Sequence, residues 1–219
     1  MGNKIIVALD GISEERALKI AKELRGLVWG FKVNDLLFEN GAIIKKLKKF
    51  GKVFADAKLH DIPNTVANSV VKLSKAGADI ITIHASGGTE MMKAAKSGSG
   101  KSKIIAITVL TSSKKADNFL KLVKDAEKAS IDGVVCSAHE LKYIKKPLIK
   151  IVPGIRPDWY NSKDDQNRTS TPQEAINWGA DFIVIGRPIL NSSNPRKAVL
   201  RILEELLPGD TMERRKRRF

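Results

Sequence analysis

Along most of the chain, short apolar runs alternate with longer stretches in which apolar residues recur every three or four positions. The runs fall at 5–9, 28–33, 53–58, 80–84, 104–110, 133–136, 148–152 and 182–185. They are rich in Ile and Val and almost free of polar residues, the pattern of parallel strands covered on both faces rather than of strands half open to water. Helical periodicity lies between them, at 13–25, 35–50, 65–76, 88–96, 116–129, 138–144, 172–178 and 195–206. Eight strands alternating with eight helices predict repeated βα units around a parallel sheet. The joints before Ile80 and Phe182 share one grammar, Gly77-Ala78-Asp79 and Gly179-Ala180-Asp181, in which the glycine takes the left-handed cap that ends its helix.

Closure of eight such units removes both sheet edges, so the pattern predicts a single-domain (β/α)8 TIM barrel over residues 1–208. The final stretch, 209–219, reads as a disordered basic tail: Arg214, Arg215, Lys216, Arg217 and Arg218 face only Asp210 and Glu213. One loop is long for so compact a chain, the mostly polar span 156–171 after the seventh strand, and it predicts a functional lid. Barrel chemistry sits at the C-terminal ends of the strands, which is where that loop begins.

Composition narrows the class. Of 219 residues 42% are hydrophobic, a proportion that builds a large core and excludes disordered and collagen-like chains. A single cysteine, Cys136, leaves no internal disulfide and no cysteine zinc site, which suits a reducing, cytoplasmic setting. No apolar run reaches membrane-spanning length and no signal-like h-region opens the chain, so no membrane partner is expected. The net charge of +15 favours anionic partners without choosing among nucleic acid, acidic lipid and phosphorylated small molecules. A basic nucleic-acid-binding protein is the non-enzymatic alternative, but interleaved aromatics and any recognisable binding module are missing, so no specific nucleic acid is expected.

The strand ends carry the candidate chemistry. Asp10 follows the first, Lys32 lies on the second, Asp56 and Lys58 on the third, and Asp61 comes directly after. Two positions apart on a strand, Asp56 and Lys58 share a face with Cα atoms about 6.6 Å apart. Neither belongs unpaired in a barrel interior, so two acids and two ammonium groups are expected to satisfy one another there. The span Ser97-Gly98-Ser99-Gly100-Lys101-Ser102 imitates a phosphate loop, but position 95 is alanine and the span precedes a strand, so it reads as a connector. His60, His84 and His139 share no metal-binding spacing, and no metal site is expected.

The decapeptide Asp56-Ala57-Lys58-Leu59-His60-Asp61-Ile62-Pro63-Asn64-Thr65 resembles the D-x-K-x-x-D-I-P-N-T signature of the orotidine 5′-phosphate decarboxylase family. The resemblance continues in order through Val7-Ala8-Leu9-Asp10, Phe31-Lys32-Val33, His84-Ala85-Ser86-Gly87-Gly88, Pro153-Gly154-Ile155-Arg156-Pro157 and Val184-Ile185-Gly186-Arg187-Pro188. It implies cofactor-independent decarboxylation of orotidine 5′-phosphate to uridine 5′-phosphate, with Lys58 donating a proton to C6 of the pyrimidine. It further implies that Lys32, Asp56, Lys58 and Asp61 form one charged array. Asp61, Ile62 and Thr65 would then reach across a homodimer interface. Asp10 and Lys32 are implied as ribose contacts, and Thr111 as a pyrimidine contact. Arg156 and Gln166 flank the lid, with Gln166, Arg187 and the Gly186 backbone on the phosphate. The shorter D-x-K-x-x-D pattern belongs to a wider superfamily, so a magnesium-dependent keto-sugar-phosphate decarboxylase or hexulose-phosphate synthase is the enzymatic alternative.

Overall fold

The computed structural model describes residues 4–40, 42–109, 118–160 and 168–207. Eight strands, β1 (Ile5–Ala8), β2 (Gly30–Val33), β3 (Lys52–Leu59), β4 (Ile80–His84), β5 (Lys103–Ile107), β6 (Gly133–Val135), β7 (Ile149–Val152) and β8 (Phe182–Ile185), each pair in parallel with the next. β8 returns to β1 and closes the barrel. The helices outside it are α1 (Glu14–Glu23), α2 (Leu36–Asn40), α3 (Ile43–Leu47), α4 (Pro63–Ala76), α5 (Gly88–Ser97), α6 (Phe119–Lys128), α7 (Pro172–Asn177), α8 (Arg187–Leu190) and α9 (Pro195–Glu205).

Period-2 alternation on each strand sorts its residues into two cores. Ile5, Val7, Phe31, Val33, Ile81 and Ile83 face outward and pack with the helices. Ile6, Phe54, Ile80, Ile105, Ile151 and Val184 face inward and fill the barrel, so its lower interior is a packed plug. Two inward positions demand glycine. A Cβ on Gly133 would stand 2.2 Å from the carbonyl oxygen of Ile149, and one on Gly30 would stand 2.1 Å from that of Lys52.

The N-terminal rim is hooked together by aspartates. Asp79, Asp132 and Asp181 each precede an even strand and accept from the backbone N–H of the strand before it, Val53 at 2.8 Å, Ile104 at 2.9 Å and Lys150 at 2.8 Å. Each also donates its own backbone N–H to the carbonyl of that same residue. Gly77 and Gly179 end the preceding helices at φ 103° and 102°, the left-handed caps expected from sequence.

The closed barrel agrees with the sequence reading, and three details differ. The predicted helix 35–50 is two helices, with Gly41, a poor helix former, in the sequence between them. The stretch at 138–144 winds as a 3₁₀ turn (Ala138–Tyr143) under a Ser137/Glu140 capping box. The short helix α8, unpredicted, opens on Arg187 directly after β8. The phosphate-loop imitation at 97–102 connects α5 to β5 at the opposite end of the barrel from the strand C-termini. The tail 209–219 lies outside the described residues.

Candidate active site

At the C-terminal ends of the strands the inward positions turn from apolar to charged. Ala8, Lys32 and Phe54 are laterally paired on β1, β2 and β3, and one inward step further come Asp10 and Asp56. The charges form a chain. Lys32 Nζ meets Asp10 Oδ2 at 2.5 Å and Asp56 Oδ2 at 3.1 Å, and Lys58 Nζ meets the same Asp56 Oδ2 at 2.5 Å. Two carboxylates and two ammonium groups therefore alternate across the mouth, with no net charge left over. The inner pair is buried, Lys32 and Asp56 both 9% exposed at the side chain, whereas Lys58 at 35% faces the opening.

Burial alone would drive both inner groups neutral, and the network reverses it. Desolvation opposes the Lys32 ammonium, but Asp56 and Asp10 outweigh it and raise its pKa above that of an ordinary lysine. Desolvation likewise opposes the Asp56 carboxylate, but Lys32, Lys58 and the Thr82 hydroxyl hold its pKa below the usual aspartate value.

Lys58 owes its position to an irregular strand. The register of β3 on β4 runs Ala55↔Ile81 and then Leu59↔Ile83, four steps on one strand against two on the other, so β3 bulges between them. Lys58 sits in the bulge at φ 48°, a left-handed conformation that costs a residue with a side chain roughly 1–3 kcal/mol. Asp56 and Lys58 thus share a face, as expected, but through a bulge instead of plain alternation. One charge of the network and the backbone strain thus coincide at Lys58.

Above the charged chain lies a cavity of about 460 Å³. Asp10, Lys32, Asp56 and Lys58 line one wall, Ile107, Val109, Val135 and Ile151 another, and Gly154, Arg156, Gly186 and Arg187 a third. Gly186 caps α8, so the cavity meets both the start of that helix and the half-buried Arg187. The long loop after β7 is tied at both described feet. Ile155 bridges Ser170, and the Arg156 N–H donates to the Ser170 carbonyl at 2.9 Å. Arg156 stacks over Tyr160, and Trp159 Nε1 donates to Glu205 at 2.9 Å. On the return limb Arg168 ion-pairs with Glu140 and donates to the Val109 carbonyl at 3.3 Å.

The expected site residues divide into three groups. Asp10, Lys32, Asp56, Lys58, Arg156, Gly186 and Arg187 converge on the cavity. Asp61, Ile62 and Thr65 stand exposed where β3 runs into α4, and Asp61 accepts from the Ile62 N–H at 2.6 Å, while the carboxylate that Lys58 meets within its own chain is Asp56. Thr111 and Gln166 lie outside the described residues. Sequence reasoning missed Thr82, Arg168 and Glu140. Thr82 could have been flagged as the lone hydroxyl in the otherwise apolar run Ile80-Ile81-Thr82-Ile83; the Arg168–Glu140 pairing spans 28 residues and leaves no local signal.

Cys136 is buried in the outer core with its thiol pKa raised by desolvation, so it is a packing residue. Burial, His60 and Lys58 lower the pKa of His84, whose ring lies 5.5 Å from that of His60. Among the described residues no three His, Cys, Asp or Glu side chains converge as a metal site, and no helix is long and apolar enough to cross a membrane.

The sequence profile described as "Orotidine 5'-phosphate decarboxylase / HUMPS family" matches residues 3–202. The chain is similar to the orotidine 5′-phosphate decarboxylase of Streptococcus agalactiae, 45% identical over 78% of this chain and 82% of the relative. Among solved structures it is similar to the orotidine 5′-phosphate decarboxylase from Lactobacillus acidophilus, with a TM-score of 0.79 and 37% identity over 93% of this chain and 99% of that one. It is also similar to the orotidine 5′-monophosphate decarboxylase from Methanocaldococcus jannaschii complexed with the inhibitor BMP, with a TM-score of 0.80 and 28% identity over 94% and 99% of the two chains.

Proposed function

The chain belongs to the orotidine 5′-phosphate decarboxylase / HUMPS family, and we propose from that membership and from its charged barrel mouth a cofactor-independent decarboxylation in which the Lys58 ammonium stabilises the developing C6 carbanion and protonates it. It is a carboxy-lyase of pyrimidine biosynthesis that converts orotidine 5′-phosphate to uridine 5′-phosphate and CO2. The observation that carries the mechanism is the contact of Lys58 Nζ with a carboxylate kept ionised by its neighbours, at the edge of a cavity large enough for a small ligand.

Loss of CO2 from C6 leaves the electron pair of the broken bond on a ring carbon with no adjacent electron sink. A fixed ammonium beside that carbon stabilises the developing charge and then transfers its proton to C6, giving uridine 5′-phosphate and a neutral amine that is reprotonated from water. The Lys58 ammonium fits this task because it is held at 2.5 Å by Asp56, whose position Lys32 and Thr82 fix in turn. Asp56 Oδ2 is shared by the two ammonium groups and Oδ1 accepts from Thr82, so both oxygens are engaged by the protein's own donors. Preorganised charge of this kind needs no reorganisation as the reaction proceeds.

The remaining roles follow the family resemblance. Asp10 and Lys32 bind the ribose hydroxyls, and Thr111 contacts the pyrimidine. Arg187, Gln166 and the Gly186 backbone hold the phosphate, with Arg156 at the foot of the loop. Two features support that end of the site: the loops after the seventh and eighth strands commonly form the phosphate site of such barrels with a short extra helix, and α8 opens there on an arginine able to bind two phosphate oxygens. The protein acts as a homodimer in the cytoplasm, and the exposure of Asp61, Ile62 and Thr65 in the single chain is compatible with their insertion into a neighbouring site. With phosphate bound far from C6, its binding energy serves to order the site around the reacting carbon.

Spectrophotometric loss of orotidine 5′-phosphate, followed with and without EDTA, tests the reading. Turnover unchanged by chelator is expected. Inactivation by chelator would assign the magnesium chemistry of the keto-sugar-phosphate decarboxylases or hexulose-phosphate synthases instead, and no turnover would remove the decarboxylase reading.

A further inference from the structure

The bulge that carries Lys58 needs something to hold it, because an irregular strand has given up ladder hydrogen bonds. The partner strand meets it with a single residue. Thr82 lies between Ile81 and Ile83, the two β4 positions that bracket the bulge. Its side chain is inward and fully buried, 0% exposed, and it is not part of the cavity wall. Its hydroxyl makes two contacts of opposite sense. Thr82 Oγ1 accepts the backbone N–H of Lys58 at 3.0 Å and donates its proton to Asp56 Oδ1 at 2.8 Å. A hydroxyl can do both at once, whereas an aliphatic side chain of the same shape can do neither.

These two bonds act on different parts of the reacting group. The first pins the backbone of a lysine in a left-handed conformation that is costly for a residue with a side chain. The second fixes the rotation of the Asp56 carboxylate, occupying Oδ1 so that Oδ2 faces both Lys32 and Lys58. Asn34 steadies the same segment from the other side, its Nδ2 donating to the Asp56 carbonyl at 2.7 Å. We propose that Thr82 is a positioning residue of the decarboxylation: its hydroxyl locks the β3 bulge and the Asp56 carboxylate together, and so aims the Lys58 ammonium into the cavity. Thr82 touches no substrate and acts only through Lys58 and Asp56.

The inference rests on the reaction assigned above, and exchanging methyl for hydroxyl separates it from simple packing. Thr82→Val keeps the volume and loses both bonds; Thr82→Ser keeps both bonds and loses the methyl group. If the hydroxyl positions Lys58, Thr82→Val lowers kcat about 100-fold with KM within about 3-fold, as a misplacement near 1 Å does. Thr82→Ser then retains at least about a third of the wild-type kcat, its loss being confined to packing. A Thr82→Val enzyme with wild-type kcat, or a Thr82→Ser enzyme as slow as Thr82→Val, overturns the proposal. Should Thr82→Val fail to fold by circular dichroism, Thr82→Ala replaces it under the same two criteria. A wild-type chain inert toward orotidine 5′-phosphate would overturn the assigned reaction itself, whereas an active wild type beside a fully active Thr82→Val would overturn only the role of Thr82.

Discussion

Lys32 and Asp56 are charged groups that an apolar barrel interior tolerates only as a pair, and the pair sets both a stability and a pH window. Removing one partner of a buried ion pair leaves the other uncompensated, so Asp56→Asn is expected to cost about 3–5 kcal/mol by urea denaturation as well as turnover. The two shifted pKa values fix the window. Asp56 titrates lower in the fold than in the unfolded chain, so its contribution is present above the unfolded value of 3.8 and is lost as pH falls through the folded one. Lys32 titrates higher in the fold, so its contribution is full below 10.5 and is lost as pH rises through the folded value. The contribution of this pair to the denaturation midpoint is therefore expected to hold level between these limits and to shrink outside them. The charged residues were legible in the sequence because an acid and a lysine two apart inside an apolar run have few other uses. The bulge between them was not, since nothing in Asp56-Ala57-Lys58 announces a left-handed lysine.

At the scale of elements, the aspartate hooks tie β3, β5 and β7 each to the helix-to-strand joint that follows it. The Lys96 and Lys103 ammonium groups and the Ile104 N–H outweigh burial and hold the pKa of Asp132 below its ordinary value. The hook is thus present above about pH 4 and is lost as acid protonates it. Asp132→Ala leaves the Ile104 N–H without its partner and is expected to destabilise the fold by about 1–3 kcal/mol. Because the hook lies at the N-terminal rim, kcat and KM are expected to stay within about 3-fold of wild type, which a parallel denaturation and kinetic series checks. Two of these joints were visible as a repeated Gly-Ala-Asp; the third, Ile131-Asp132-Gly133, carries the hook without the glycine before it and escaped the pattern. The helices show the same limit. Periodicity located α4 and α9 nearly to their ends, but four residues of α8 are too few to show any period.

The whole molecule brings the charged residues of β1–β3 and the proposed phosphate-binding residues Arg156, Gly186 and Arg187, which follow β7 and β8, to one cavity. Arg187→Ala is expected to lower kcat/KM for orotidine 5′-phosphate by about 100-fold or more while leaving the phosphate-free nucleoside little changed, and equal losses for both would remove the phosphate assignment. If the partner's Asp61 completes each site, Lys58→Ala and Asp61→Ala chains are separately inactive, yet random mixing through dissociation restores about a quarter of the sites. No recovery on mixing would argue for sites contained within one chain. Closure of the barrel was legible because eight apolar runs allowed few other arrangements. An interface between two chains leaves no periodic mark, and it entered through the resemblance of Asp61-Ile62-Pro63-Asn64-Thr65 alone.

The most direct measurement compares kcat of the wild type and Lys58→Ala on orotidine 5′-phosphate, with uridine 5′-phosphate affinity and circular dichroism recorded on both. A residue that both stabilises the carbanion and supplies its proton is expected to cost at least about 10⁴-fold in kcat on removal, with the fold intact and product affinity within about 10-fold. A folded Lys58→Ala enzyme within about 100-fold of wild type would contradict the assignment of the reaction to that ammonium.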